Sequence, residues 1–113
     1  MKEVKAYIKP HKLSKVTLAL HKVEEVTGMT AVDVRGFGRS RAKNAPRRIV
    51  DDLVDYLPYV KVEVVCSDLI VEKVIAVIQE AAYTGLRGDG KIYVSGIETA
   101  VRIETGERGK RAV

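Results

Sequence analysis

Shifting the chain by 58 residues lays Lys15, Val16, Ala19 and Leu20 over Lys73, Val74, Val77 and Ile78, so one amphipathic helical stripe is written twice. Each copy is flanked by strand patterns. In the first, Val4, Ala6 and Ile8 alternate with Glu3, Lys5, Tyr7 and Lys9 over Lys2 to Lys9, the period of a half-buried strand. Pro10 ends that strand, and Leu13, Val16, Leu20 and Val23 then recur at helical spacing, which predicts a helix of about four turns. After Thr27 and Gly28, Met29 to Phe37 reads as a second strand, with Val32 and Val34 alternating with Asp33 and Arg35. In the second copy, Val60, Val62, Val64 and Cys66 alternate with Lys61, Glu63 and Val65. Ser67 and Asp68 are N-cap candidates for a helix whose stripe is Ile70, Val74, Val77, Ile78 and Ala81. Thr84 and Gly85 close it, and Lys91 to Val94 is a fourth strand.

Two β-α-β units in series predict an α+β, ferredoxin-like βαββαβ domain, a four-stranded antiparallel sheet with both helices on one face. The chain, 113 residues long, suffices for one domain, 1–113, and excludes an enzyme with separate cofactor and substrate modules. The other sheet face, carrying groups such as Tyr7 and Val65, is left to be covered by other subunits.

The pattern breaks between Gly38 and Leu57. Strands in this position are usually joined by 2 to 5 residues, so a connection of about 18 implies a functional or disordered segment. Its charge is sorted: Arg35, Arg39, Arg41, Lys43, Arg47 and Arg48 come without an intervening acid, and Asp51, Asp52 and Asp55 follow. Over the whole chain 20 Lys plus Arg stand against 15 Asp plus Glu, a net charge of +5, which favours anionic partners without choosing among them. One Phe, five Tyr and no Trp are a poor supply of stacking surface, which places nucleic acid last.

Thr84 to Lys91 is the strongest local signal for chemistry. Its three glycines let backbone N–H groups turn toward an anion, and Lys91 adds a point charge. A helix C-cap followed by a tight turn reads the same residues more simply. The spacing fails for a Walker A loop, and Gly36-Phe37-Gly38 lacks the third glycine of a dinucleotide fingerprint and reads as a hinge. His11 and His21 are about 80° apart around a helix and do not make a metal pair. Lone Cys66 is expected to be buried and inert, and no disulfide, zinc cluster or nucleophilic triad can be argued. The chain reads as a non-enzyme. Without an apolar run of the roughly 18 residues a membrane span needs, or a signal peptide, its expected compartment is the cytoplasm, with membrane association only through a partner.

Several separated motifs then fall in order: Met1 to Pro10, Gly28-Met29-Thr30, Gly36-Phe37-Gly38-Arg39, Asp55-Tyr56-Leu57-Pro58, Thr84-Gly85, Gly88 to Val94, and Thr105-Gly106-Glu107. Together they closely resemble the PII signal-transduction proteins over nearly the whole chain. The resemblance implies a homotrimer that binds ATP or ADP between subunits, with AMP as a further candidate and a need for Mg²⁺ left open. It also implies a long T-loop, about 38–57, that engages a membrane transporter or cytosolic enzyme. The glycine turn, about 84–91, becomes the B-loop and residues 102–113 the C-loop.

Carried over residue by residue, Gly88, Asp89, Gly90, Lys91, Arg39 and Arg102 would line the phosphates. Gly36, Phe37, Gly38 and Val65 would lie near the adenine, and Thr30 would contribute from the cleft. Arg41, Lys43, Arg47, Arg48, Ile49 and Asp52 would meet the partner. The chain departs from the family pattern at Ser40 and Tyr59, where members carry a Gln and a Lys that serve Mg-ATP and 2-oxoglutarate. It departs again at Glu104, the place of a second C-loop Arg, and at Asp52 and Val50, the places of the uridylylated Tyr and a phosphorylated Ser. The loop sequence, His11, Val54-Asp55-Tyr56 and the C-terminal pattern are similar to PII-like proteins linked to heavy-metal efflux, the alternative being a regulator or metal-binding component of such a system.

Overall fold

The structure, a computed structural model, describes residues 1–38 and 56–113. Four strands, β1 (Lys2–Ile8), β2 (Thr30–Gly36), β3 (Leu57–Cys66) and β4 (Lys91–Gly96), form one antiparallel sheet in the order β2-β3-β1-β4. Helices α1 (Leu13–His21) and α2 (Val71–Ala82) pack against each other over it. This is the expected α+β, ferredoxin-like arrangement.

Alternation in β1 and β3 sorts the two faces. Val4, Ala6 and Ile8 meet Val64, Val62 and Val60 across the ladder, and all six are buried beneath the helices. Val16 and Leu20 of α1 and Val74 and Ile78 of α2 close the core from above, so the duplicated stripe is the layer that two equivalent helices lend to one sheet. On the open face, Glu3, Lys5 and Tyr7 run beside Val65, Glu63 and Lys61, with Tyr93 set edge-on to Tyr7 at 6.2 Å between ring centroids. There Lys5 pairs with Glu3 at 3.4 Å and Lys61 with Glu63 at 3.1 Å.

Strand ends shift by one or two residues, β4 running on to Gly96, and three boundaries differ from expectation in ways that have a cause. Helix α1 has nine residues, fewer than four turns: Pro10–Lys12 is a 3₁₀ turn with Pro10 in its first turn, and past His21 the chain leaves the helix through single turns such as Val23 N–H to the Leu20 carbonyl. Strand β3 begins at Leu57, upstream of Val60, because a run from Leu57 to Tyr59 pairs with β2 after β1 has ended. A strand flanked on one side only tolerates Pro58, which has no N–H to give. Helix α2 stops at Ala82, with Tyr83 already extended and its N–H on the Gln79 carbonyl. Gly85 is therefore not the helix cap that the simpler reading supposed. The expected N-cap Ser67 accepts from the Leu69 N–H at 3.3 Å, opening a 3₁₀ turn that leads into α2.

After β4 the chain folds into a tight hairpin. Val101 pairs with Arg108, the Arg102 N–H reaches the Glu107 carbonyl at 2.9 Å, and Gly106, at φ +74°, makes the turn. Among the described residues no helix is long and apolar enough to cross a membrane.

Candidate functional site

The turn between α2 and β4 is built around one carboxylate. Asp89 Oδ2 accepts hydrogen bonds from the backbone N–H groups of Thr84 at 2.9 Å and Gly85 at 3.0 Å, while Oδ1 accepts one from the Thr84 hydroxyl and lies 3.2 Å from Lys9 Nζ. Lys9 also donates to Thr84 Oγ1 at 3.0 Å, and that oxygen accepts the Leu86 N–H at 3.1 Å. The Thr84 hydroxyl foremost, then the two amides and Lys9, hold the Asp89 carboxyl well below the usual carboxylate range, against the opposing effect of its partial burial. Asp89, expected to line the phosphates, therefore turns its side chain into the loop.

Chain reversal here depends on glycine. Gly85, Gly88 and Gly90 have φ of +78°, +85° and +98°. At Gly90 the demand is absolute, since a Cβ would sit 1.6 Å from the Tyr7 carbonyl oxygen of β1. The amides of Thr84, Gly85 and Leu86 are consumed within the loop. Those of Arg87, Gly88 and Gly90 have no partner among the described residues, while Arg87 and Gly88 sit at the tip of a hydrogen-bonded turn.

Beside this turn lies a concavity of about 740 Å³ between the ends of β2, β3, β1 and β4. Lys5, Arg35 and Lys91 bring three cations to its lining, Tyr7, Phe37, Tyr59 and Tyr93 bring four rings, and no carboxylate is among the described residues that line it. Phe37 is steadied edge-on by Tyr56 at 5.7 Å. Gly36 and Gly38 have nothing among the described residues within 4 Å of an added Cβ, and neither has a positive φ. Among the described residues no steric need explains either glycine, and their effect there is to keep the wall open. The result is a flat, aromatic, cationic recess beside unpartnered amides, suited to a planar group attached to an anion.

Five of the expected nucleotide residues, Gly36, Phe37, Gly38, Gly90 and Lys91, line this recess, and Gly88 lies in the adjoining turn. Thr30, Val65 and Arg102 do not join them. Thr30 pairs with Glu63 and Val65 with Glu3, whereas Gly36 pairs with Leu57 and Lys91 with Tyr7. Eight strand positions separate Leu57 from Val65, about 26 Å at 3.3 Å per residue. Arg102 follows β4 at this far end, exposed on the C-terminal hairpin with Glu104. Within one chain the expected residues thus fall into two groups at opposite ends of the sheet. Arg39, Arg41, Lys43, Arg47, Arg48, Ile49 and Asp52 lie outside the described residues.

Inspection of the sequence missed Lys9 and Thr84 as loop partners, and Lys5, Arg35, Tyr7 and Tyr93 as lining. Lys9 and Thr84 are 75 residues apart, and no local pattern joins them. Cys66, as expected, is buried, and burial pushes its thiol up.

The family described as nitrogen regulatory protein P-II matches residues 1–107. This chain belongs to the P-II family. It is 48% identical, over 100% of both chains, to nitrogen regulatory protein P-II of Azospirillum brasilense, equally so to that of Rhodospirillum rubrum, and 47% identical to that of Bradyrhizobium diazoefficiens, also over the full length of both. P-II proteins are signal-transduction regulators, and these names favour that role over one in heavy-metal efflux.

Proposed function

We propose that this protein is a homotrimeric P-II regulator that binds an adenine nucleotide between subunits and passes the state of that site to a transporter or enzyme through residues 38–57. The nitrogen regulation in the name of its relatives is the process it serves. What carries the reading is the recess at the mouth of β2 and β4, where rings and open glycines suit a base and the Arg87, Gly88 and Gly90 amides with Lys91 suit phosphates. A single chain supplies half of such a site. Thr30, Val65 and Arg102 of a neighbouring copy complete it when far end meets near end, as head-to-tail contacts in a closed ring do.

The triphosphate faces a mixed reception. Arg102 is a favourable partner, but Glu104 two residues away adds a negative charge, which shifts preference toward ADP or AMP. Ser40 is too short to stand in for a ligand-reaching amide, Tyr59 carries no ammonium, and Asp52 has no phenolic hydroxyl to uridylylate. The experiment is calorimetry with ATP, ADP, AMP and 2-oxoglutarate, each with and without Mg²⁺. Binding of one or more adenine nucleotides with no tight 2-oxoglutarate response is expected, and absence of all nucleotide binding overturns the reading.

A further inference from the structure

Resting on the reading of residues 84–91 as a phosphate-binding turn, we propose that Lys9, Thr84 and Asp89 form a latch that positions this turn, with the Asp89 carboxylate neutralised and held away from the ligand. The three are positioning residues. A carboxylate next to an anion site repels its ligand unless it is occupied, and here both oxygens are: two amides on Oδ2, a hydroxyl and an ammonium on Oδ1. These bonds divide the turn. Its first half is tied to itself, and in its second half the amides of Arg87, Gly88 and Gly90 are left in need of a partner.

The latch is anchored outside the turn. Lys9 follows directly on Ile8, which is buried at the end of central strand β1, so the ammonium is delivered from the most constrained part of the sheet. Its stem passes beneath Gly88, where an added Cβ would lie 3.8 Å from Lys9 Cε and 3.5 Å from Tyr59 Oη. The turn thus rests on β1 and β3 while Thr84 and Asp89 close it across its base. Lys9 and Asp89 are only 19% and 25% exposed, so the contacts are partly shielded from water.

The consequence is opposite in sign to a simple charge effect. Removing a negative charge beside a phosphate site should tighten binding; removing the latch should weaken it by releasing the amides from their aim. The test measures ADP and adenosine binding, adenosine by competition, to the wild-type protein and to Asp89→Asn, Thr84→Val, Thr84→Ser and Lys9→Met, with melting curves to confirm folding. The expected result is a loss of about tenfold in the preference for ADP over adenosine in Asp89→Asn, Thr84→Val and Lys9→Met, adenosine affinity holding within about twofold, and recovery in Thr84→Ser, which keeps the hydroxyl. A merely structural role lowers the melting temperature without moving that preference. Unchanged or tighter ADP binding in the folded variants overturns the latch alone. If the wild-type protein itself shows no preference for ADP over adenosine, the phosphate-site reading fails and the latch falls with it.

Discussion

Gly90 shows how little freedom a single position has in this fold. Its φ of +98° and the Tyr7 carbonyl 1.6 Å from an added Cβ leave no room for adjustment short of parting β4 from β1. Gly90→Ala is expected to cost at least about 2 kcal/mol of folding stability, read from urea unfolding. Asp89 makes a prediction in pH. Its folded carboxyl is held below its unfolded value, so ionisation stabilises the fold above about pH 4 and that contribution is lost as the pH falls from there toward the depressed folded value. The melting temperature of the wild-type protein should therefore fall more steeply below pH 4 than that of Asp89→Asn; parallel curves would exclude the contribution. For binding, Lys91→Ala and Arg102→Ala should each cost about 1.5 to 3 kcal/mol in nucleotide affinity as a charge-assisted contact is lost. Calorimetry that finds both variants unchanged would move the site elsewhere. At this scale the sequence announced the glycines and the lysine of the turn but not the direction of the Asp89 side chain. Side-chain direction follows from partners, and those of Asp89 include Lys9 at the far end of the chain.

Helix α2 is the element on which the core depends. Val74 and Ile78 are wholly buried, facing β1 and α1, and the helix interior has no glycine or proline to weaken it. Ile78→Ala should remove about 2 to 5 kcal/mol through lost burial and the cavity left behind, whereas Ser67→Ala, which costs one cap hydrogen bond at an exposed turn, should remove about 0.5 to 1 kcal/mol. Urea midpoints ranking the two alike would contradict that assignment of the core. Period and alternation made nearly every element legible in the sequence, because burying one face imposes a repeat of 2 or 3.6 on the residues themselves. Ends were less legible. The alternation starts at Val60, and only the pairing with β2 shows that β3 outruns β1 as far as Leu57; the length of α1 is set by the route its chain takes from Lys22 to β2, which no local repeat records.

For the whole molecule, the separation of the two proposed half-sites yields an experiment in assembly. Lys91→Ala and Arg102→Ala protomers, each defective alone, are expected to regain nucleotide binding when unfolded together and refolded as mixed trimers. About a quarter of interfaces should then join an intact Lys91 side to an intact Arg102 side. Sedimentation should give three times the monomer mass. No recovery on mixing, with trimers present, would mean that one subunit holds the whole site. The open sheet face supplies the cover that such closure needs, since it carries Tyr7, Val65 and Tyr93 beside internally paired Lys5, Glu3, Lys61 and Glu63.

By itself the sequence determined the doubled β-α-β plan, the faces of β1, β3 and α2, and the membership in the P-II family that its spaced motifs already resembled. These are local or repeated properties: a side chain's place in a strand or helix period depends on neighbours a few residues away. Only the tertiary structure decided that Asp89 is spent on Thr84, Gly85 and Lys9, that seven aromatic or cationic side chains on or beside four strands ring one recess, and that Val65 and Lys91 stand at opposite ends of the same sheet. Such relations are set by register between strands far apart in the chain, and register is a property of the folded sheet.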